Sequence, residues 1–240
     1  MRLNLIVTLL DYKRIPAYFF SVVFALRENI LVLRKKIYGM LTIPECVSLY
    51  KIAKNLPRGS TALEIGTYGG LSSAYILSGL KFNGSYLYSI DPFSSEMNKQ
   101  KKLVSKYKNL DYRYAEYSSL DRKPSKNDVQ NTLKKLGFNN FKLIEGYSNV
   151  VVRKWNKKLE FLFIDGNHEY KSVSEDYKTW SKYLVKGGII LFHDANNINY
   201  ESNWKWGLDG PTRVVGINIF PPKWINIKRI DSLLYAEKNF

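Results

Sequence analysis

Residues 61–70, Thr-Ala-Leu-Glu-Ile-Gly-Thr-Tyr-Gly-Gly, constrain this chain more than any other stretch. Ala62, Leu63 and Ile65 form a short apolar run that stops at a glycine-rich turn, and Leu71-Ser72-Ser73-Ala74-Tyr75-Ile76-Leu77 beyond it can carry a helix. Strand, glycine turn and helix together make a ligand cradle: glycines admit a ligand close to the backbone, and the free N–H groups of the helix attract electron-rich atoms. Glu64 adds a carboxylate just before the turn. The dinucleotide pattern Gly-x-Gly-x-x-Gly fails, because Tyr68 stands where a second glycine would admit a pyrophosphate, and Glu64 would repel one. The spacing is instead Glu-x-Gly-x-x-x-Gly, at Glu64, Gly66 and Gly70.

The rest of the chain repeats the same grammar. Pro44 opens a helix through Val47, Leu49, Tyr50 and Ala53, which ends at Asn55-Leu56-Pro57-Arg58-Gly59. Asn83-Gly84 turns the chain into a second strand over 85–90, and Asp91 at its tip is placed to grip two ribose hydroxyls. Helical stretches at 96–107 and 126–136 flank a tyrosine-rich loop or insertion at 111–124. A strand at 141–145 runs into Gly146-Tyr147-Ser148, and a continuous apolar strand at 159–164 runs into Asp165-Gly166-Asn167-His168. The next helix places Val173, Tyr177, Trp180 and Leu184 on one face and closes at Lys186-Gly187-Gly188. Ile189-Ile190-Leu191-Phe192 then leads into His193-Asp194. After an aromatic, Asn-rich loop over 196–210, the runs 224–230 and 232–236 form a tight antiparallel pair. Strands alternating with helices predict a doubly wound α/β sheet, in which ligands bind at the carboxyl ends of the strands.

Bulk properties narrow the setting. With 45% hydrophobic and 24% charged residues among 240, the chain folds as one sizeable domain with a small appendage. Its single cysteine, Cys46, excludes an intrachain disulfide and a cysteine metal cluster; it reads as a packing residue, in a cytoplasmic setting. The net charge of +16 is scattered in pairs and triplets with no nucleic-acid motif, so no nucleic-acid partner is expected. Residues 1–41 read as an N-terminal helical extension and 42–240 as the main domain. The first 40 residues are rich in aliphatic and aromatic side chains interrupted by charge, too broken to span a bilayer, with seven basic against two acidic residues. That balance suits a peripheral contact with an anionic membrane, while packing on the chain's own domain or on a second subunit is the alternative.

Asp165, His168, His193 and Asp194, at the ends of two central strands, are the candidate chemical groups. Oxygen and imidazole donors there suit Mg²⁺ or Mn²⁺, which would hold and acidify a substrate hydroxyl while His168 removes its proton. At this point a resemblance can be given. The segment from Leu63 to Gly70 resembles the corresponding part of catechol O-methyltransferase, and its Glu-x-Gly-x-x-x-Gly resembles the first motif of class I S-adenosylmethionine-dependent methyltransferases. Ile164-Asp165-Gly166-Asn167-His168 and Leu191-Phe192-His193-Asp194 resemble bacterial enzymes grouped with macrolide-sugar O-methyltransferases and cephalosporin hydroxylase. The resemblance implies a Rossmann-like seven-stranded sheet with an antiparallel last strand. It implies S-adenosylmethionine held by Glu64, Gly66, Asp91 and Ser148, with Thr67, Tyr68, Gly70 and Asp165 completing the cofactor site. It further implies metal ligands at Asp165, His193 and Asp194, with His193 standing where an acid is usual, and catalytic roles for His168 as general base and for Asp165.

The expected activity is methyl transfer to a hydroxyl of a sugar-containing or other small metabolite or a glycan. A nucleic-acid methyltransferase and a catalytically silent membrane-peripheral binding protein are the alternatives, and a homo-oligomer is open.

Overall fold

The structure is a computed structural model that describes residues 15–37, 39–93, 124–195 and 209–240. The predicted helix at 96–107, the segment 111–123 and the loop carrying Tyr200, Trp204 and Trp206 lie outside the described residues.

The predicted opening strand is β1 (Thr61–Ile65), central in a seven-stranded sheet of order β3-β2-β1-β4-β5-β7-β6. β2 (Tyr86–Asp91), β3 (Phe141–Glu145), β4 (Leu159–Ile164) and β5 (Leu184–Phe192) run parallel to it, with β1 hydrogen-bonded to both β2 and β4. β7 (Leu233–Lys238) is antiparallel to β5 and to β6 (Trp224–Ile230). Asp231, at a φ of 51°, lies in the tight turn between β6 and β7. The expected doubly wound sheet with its reversed final strand is therefore present.

The described helices, in chain order, are α1 (Ile15–Arg27), α2 (Val32–Lys36), α3 (Ile43–Lys54), α4 (Leu71–Leu80), α5 (Lys126–Lys135), α6 (Ser148–Val151), α7 (Tyr170–Trp180) and α8 (Gly210–Asn218). Because side chains alternate along a strand, the sheet feeds two cores. Ala62, Leu87, Phe161, Phe163 and Leu191 pack with α3 and α4, in the cluster that also takes Ala25, Ile30, Leu33, Ile37 and Leu41. Leu63, Ile65, Ile90, Leu162, Ile164, Ile190 and Phe192 pack with α7 and α8, around the fully buried Trp180 and Trp224.

One boundary differs from expectation. Leu184 does not extend the α7 face: the helix stops at Trp180, and Leu184 opens β5, paired with Leu159. Lys186-Gly187-Gly188 lies within that strand, beside a register irregularity between Leu159 and Phe161 that absorbs the positive φ of Gly187. Helical spacing survived by coincidence, since a strand starting four residues after Trp180 can still turn an apolar side chain to the same core.

Candidate active site

The carboxyl ends of β1, β2, β4 and β5 define one edge of the sheet, and each ends in a polar group. At β1 the turn is tight in the literal sense. Gly66 has φ +98°, and a Cβ there would stand 2.0 Å from the carbonyl oxygen of Asp165. Gly66 N–H donates to Ile90 O and Asp165 N–H donates to Ile65 O, so the turns after β1 and β4 are locked together. Gly70, with φ +90°, begins α4, where a Cβ would press on Val129. Tyr68 shares this strained stretch at φ 46°.

Glu64 points to the α4 side, where Ser73 and Ser89 donate to its Oε2 and Thr67 Oγ1 lies 2.6 Å from Ser89 Oγ. Its Oε1 is buried without a partner among the described residues. Burial raises its pKa to about 7, the nearby Asp165 charge adding to the effect while hydrogen bonds from Ser72, Ser73 and Ser89 oppose it. The sequence reading of a fixed carboxylate is thereby refined: near neutrality this group exchanges between acid and anion, and a cationic ligand would draw it to the anion. An orphaned buried acceptor at the carboxyl end of β1 fits a cationic cofactor at this position.

Asp91 is buried at the tip of β2, its Oδ2 accepting from Tyr68 N–H at 2.9 Å and its Oδ1 from Phe93 N–H at 2.7 Å. The carboxylate is thereby oriented by backbone at the carboxyl end of the strand. Ser148, after β3, donates to the Oδ1 of Asp176 on α7. Asp176 is 5% exposed, and burial pushes its pKa up to about 6. Sequence reading passed over it, although a carboxylate three residues after Val173 and one before Tyr177 sits inside the apolar face of α7.

The β4 and β5 ends bring the four chemical candidates together. His193 Nδ1 is 3.1 Å from Asp165 Oδ1 and 3.5 Å from Asp194 Oδ2. His168 lies across from it, Nε2 3.6 Å from Asp165 Oδ1 and Nδ1 3.6 Å from Asp194 Oδ2. Asp194 has φ 50°, a left-handed conformation that aims its side chain back over the site. Gly210 N–H, at the start of α8, donates to His168 O, and a Cβ on Gly210 would collide with that carbonyl at 2.4 Å.

Beneath the cluster lies a residue that sequence reading did not single out. Glu45 is fully buried, with Oε2 3.4 Å from His193 Nε2 and 2.8 Å from Thr42 N, and Oε1 accepting from Ser232 N and Oγ at 2.9 and 2.7 Å. The signal was legible: Thr42-Ile43-Pro44-Glu45 is a capping box, and Thr42 Oγ1 accepts from Glu45 N in return. What the box does not reveal is that the same carboxylate ties α3 to the β6–β7 turn and to His193. Burial pushes the Glu45 pKa up, but the His193 charge and the hydrogen bonds from His193, Ser232 and Thr42 more than reverse this, holding it at about 2. For His193 burial acts downward, and the charges of Asp165, Asp194 and Glu45 lift it well above the ordinary value. His168 is raised in the same sense, by Asp165 and Asp194 against burial.

These pairings bear on the metal. Asp165, His193 and Asp194 are adjacent, yet a ligating imidazole must offer a lone pair, and both nitrogens of His193 already face carboxylates at 3.1 to 3.5 Å. Among the described residues no group of three or more His, Cys, Asp or Glu is arranged to hold a metal ion. As it stands the donor set does not fit one: the His193 ring lies between the carboxylates where the ion would.

One further expectation concerns packing. Cys46 is buried, and burial pushes its thiol up to about 12, as suits a packing residue. Arg213, on α8, is 3.6 Å from Asp209 and lies over the ring of Tyr170 at 4.2 Å, a structural ion pair.

A family model described as "Methyltransferase domain" matches residues 63–195, more than half of the chain, from β1 to the His193-Asp194 corner. The chain belongs to this methyltransferase family. It is accordingly a class I S-adenosylmethionine-dependent methyltransferase, and its sheet order is in keeping with that. Among solved structures, S-adenosylhomocysteine-bound methyltransferase PaMTH1 from Podospora anserina is similar over 100% of this chain and 97% of its own, with TM-score 0.60 and 13% identity. The O-methyltransferase NovP is similar over 84% and 82%, with TM-score 0.59 and 13% identity. An rRNA methylase from Streptococcus thermophilus is similar over 80% and 95%, with TM-score 0.50 and 14% identity. At these identities the likeness is one of fold and does not select an acceptor. An uncharacterised protein, R132, of Acanthamoeba polyphaga mimivirus is 40% identical over 42 residues, covering 18% of this chain and 19% of that protein.

Proposed function

We propose that this enzyme transfers the methyl group of S-adenosylmethionine to a hydroxyl of a sugar-containing or other small metabolite or a glycan, with residues 42–240 carrying the reaction and 1–41 forming an extension. One observation carries the reading: His168, an imidazole with about a quarter of its side chain exposed, stands between Asp165 and Asp194 directly beside the β1 cradle. An amine acceptor needs little help to become a nucleophile, whereas a hydroxyl needs its proton removed.

The sulfonium of S-adenosylmethionine supplies an electrophilic methyl group. Anionic Glu64 would favour its positive charge and Asp91 would hold the ribose hydroxyls, with Gly66 and Gly70 shaping the turn between β1 and α4. Ser148, held by Asp176, would form the wall at the end of β3. For a hydroxyl acceptor, the imidazole of His168 would take the proton as the oxygen accepts the methyl group. Asp165 and Asp194 then stabilise the imidazolium, and His193 keeps both carboxylates in place. Much of the rate gain comes from positioning, since the displacement needs only close, collinear approach.

His168→Ala tests this directly. Transfer to a panel of glycosides and small polyols should be lost while isothermal titration with S-adenosylhomocysteine shows unchanged binding. Normal turnover in the variant removes His168 from the mechanism, and transfer to RNA instead of hydroxylated small molecules overturns the acceptor class.

A further inference from the structure

We propose that the outer face of α1 docks on an anionic membrane surface. Four large apolar side chains of this 13-residue helix face solvent: Phe19, Phe20, Val23 and Leu26 are 60%, 68%, 46% and 61% exposed. Phe19, Val23 and Leu26 recur at intervals of four and three residues and so share one face, with Phe20 on its flank. The opposite side is already used. Ala25 is fully buried, and the Phe24 ring packs 5.9 Å from Tyr50 on α3.

The flank toward α3 continues the same chemistry. Phe82 is 57% exposed, its ring 6.4 Å from that of Tyr50. Three ammonium groups ride over these rings: Lys51 is 4.0 Å from the centroid of Phe24, and Lys54 and Lys81 are 4.6 and 5.2 Å from that of Phe82. Arg27 closes the last turn of α1, and the neighbouring acid, Glu28, is already engaged by Lys54 and the hydroxyl of Tyr50. Exposed aromatic and aliphatic side chains ringed by cations match the boundary between acyl chains and anionic headgroups.

Electrostatics selects the occupant. A second copy would bring identical lysines, and a chain charge of +16, against each other. Anionic headgroups neutralise them. The contact is peripheral, because no helix among the described residues is long and apolar enough to cross a membrane.

The test is cosedimentation of the full chain with vesicles of phosphatidylcholine alone and of phosphatidylcholine with phosphatidylglycerol, beside the Phe19→Ser/Phe20→Ser and Lys51→Glu/Lys81→Glu double variants. These side chains are exposed or lie at the surface, and a circular-dichroism melt confirms that each variant is folded. The wild type should sediment with the anionic vesicles and not with the neutral ones, and each variant should bind the anionic vesicles at least about tenfold less. Three results overturn the proposal: no binding to anionic vesicles, binding that neither variant weakens, or light scattering that shows a wild-type dimer which Phe19→Ser/Phe20→Ser turns into a monomer.

Discussion

Replacing Glu45 by glutamine is the most informative single perturbation of this fold, because shape is kept while one buried charge is removed. The glutamine carbonyl can still accept from Ser232 N and Oγ, but its amide then faces Thr42 N and His193 Nε2, setting donor against donor. Glu45 is held at about 2, against an ordinary 4.5, so the folded state binds its proton far more weakly than the unfolded chain. At about 1.4 kcal/mol per pKa unit this corresponds to roughly 3 kcal/mol of stability, at the lower end of the cost of breaking a buried ion pair. The lower end is apt, since His193 keeps Asp165 and Asp194 as partners.

The sign fixes the pH window. A depressed carboxylate contributes fully above its unfolded value and loses that contribution as pH falls from 4.5 toward 2. Urea unfolding of the wild type and of Glu45→Gln should therefore differ by about 3 kcal/mol at neutral pH, and the gap should narrow as the solution is acidified below about 4.5. A neutral-pH difference under about 1 kcal/mol, or a gap unchanged by acid, would refute the assignment of Glu45 as the buried partner of His193.

Other outcomes follow from the same geometry. Glu64 has its folded pKa raised from 4.5 to about 7, so folding is weakened as pH rises across that interval; Glu64→Gln should be the more stable protein at alkaline pH by about 1 kcal/mol or more, yet bind S-adenosylmethionine more weakly. In the wild type, calorimetric affinity for that cofactor should rise as pH passes about 7, a dependence the glutamine variant lacks. Gly66→Ala must push a methyl into Asp165 O and should cost several kcal/mol, whereas Gly59→Ala, with φ +73° but nothing within 4 Å, should cost about 1 kcal/mol; equal thermal shifts would deny the close approach. His168 has a raised pKa, so its proton-accepting form grows with pH and the initial rate of transfer should climb above neutrality. With the His193 ring between the carboxylates, dialysis against EDTA should leave transfer intact, and restoration of a lost activity by Mg²⁺ or Mn²⁺ would show that a metal takes these carboxylates.

Much of this was legible because local rules and global architecture agree. The run from Thr61 through Leu80 announced strand, turn and helix, and the apolar run 159–164 announced a strand buried on both faces. The two polar strand ends, Asp165 to His168 and His193-Asp194, could be placed on one edge of the sheet because parallel strands all finish there. The end of α7 was misjudged for a physical reason: Leu184 satisfies helical spacing and strand pairing alike, and only its pairing with Leu159 distinguishes them. Asp176 and Glu45 were missed for another. Each has a local explanation, a polar helix position and a capping box, that leaves no reason to look further.

The sequence by itself determined the order of elements, the glycine cradle and the set of groups at the strand ends, since these follow from periodicity, turn chemistry and connectivity. Tertiary structure alone decided the charge states. Glu64 shifts to about 7 and Glu45 to about 2, though both are buried glutamates, because one meets hydroxyls and the like charge of Asp165 and the other meets His193. Chain position carries no record of which charge lies 148 residues away, and that partner, brought in by the fold, sets whether a buried carboxylate holds its proton or gives it up.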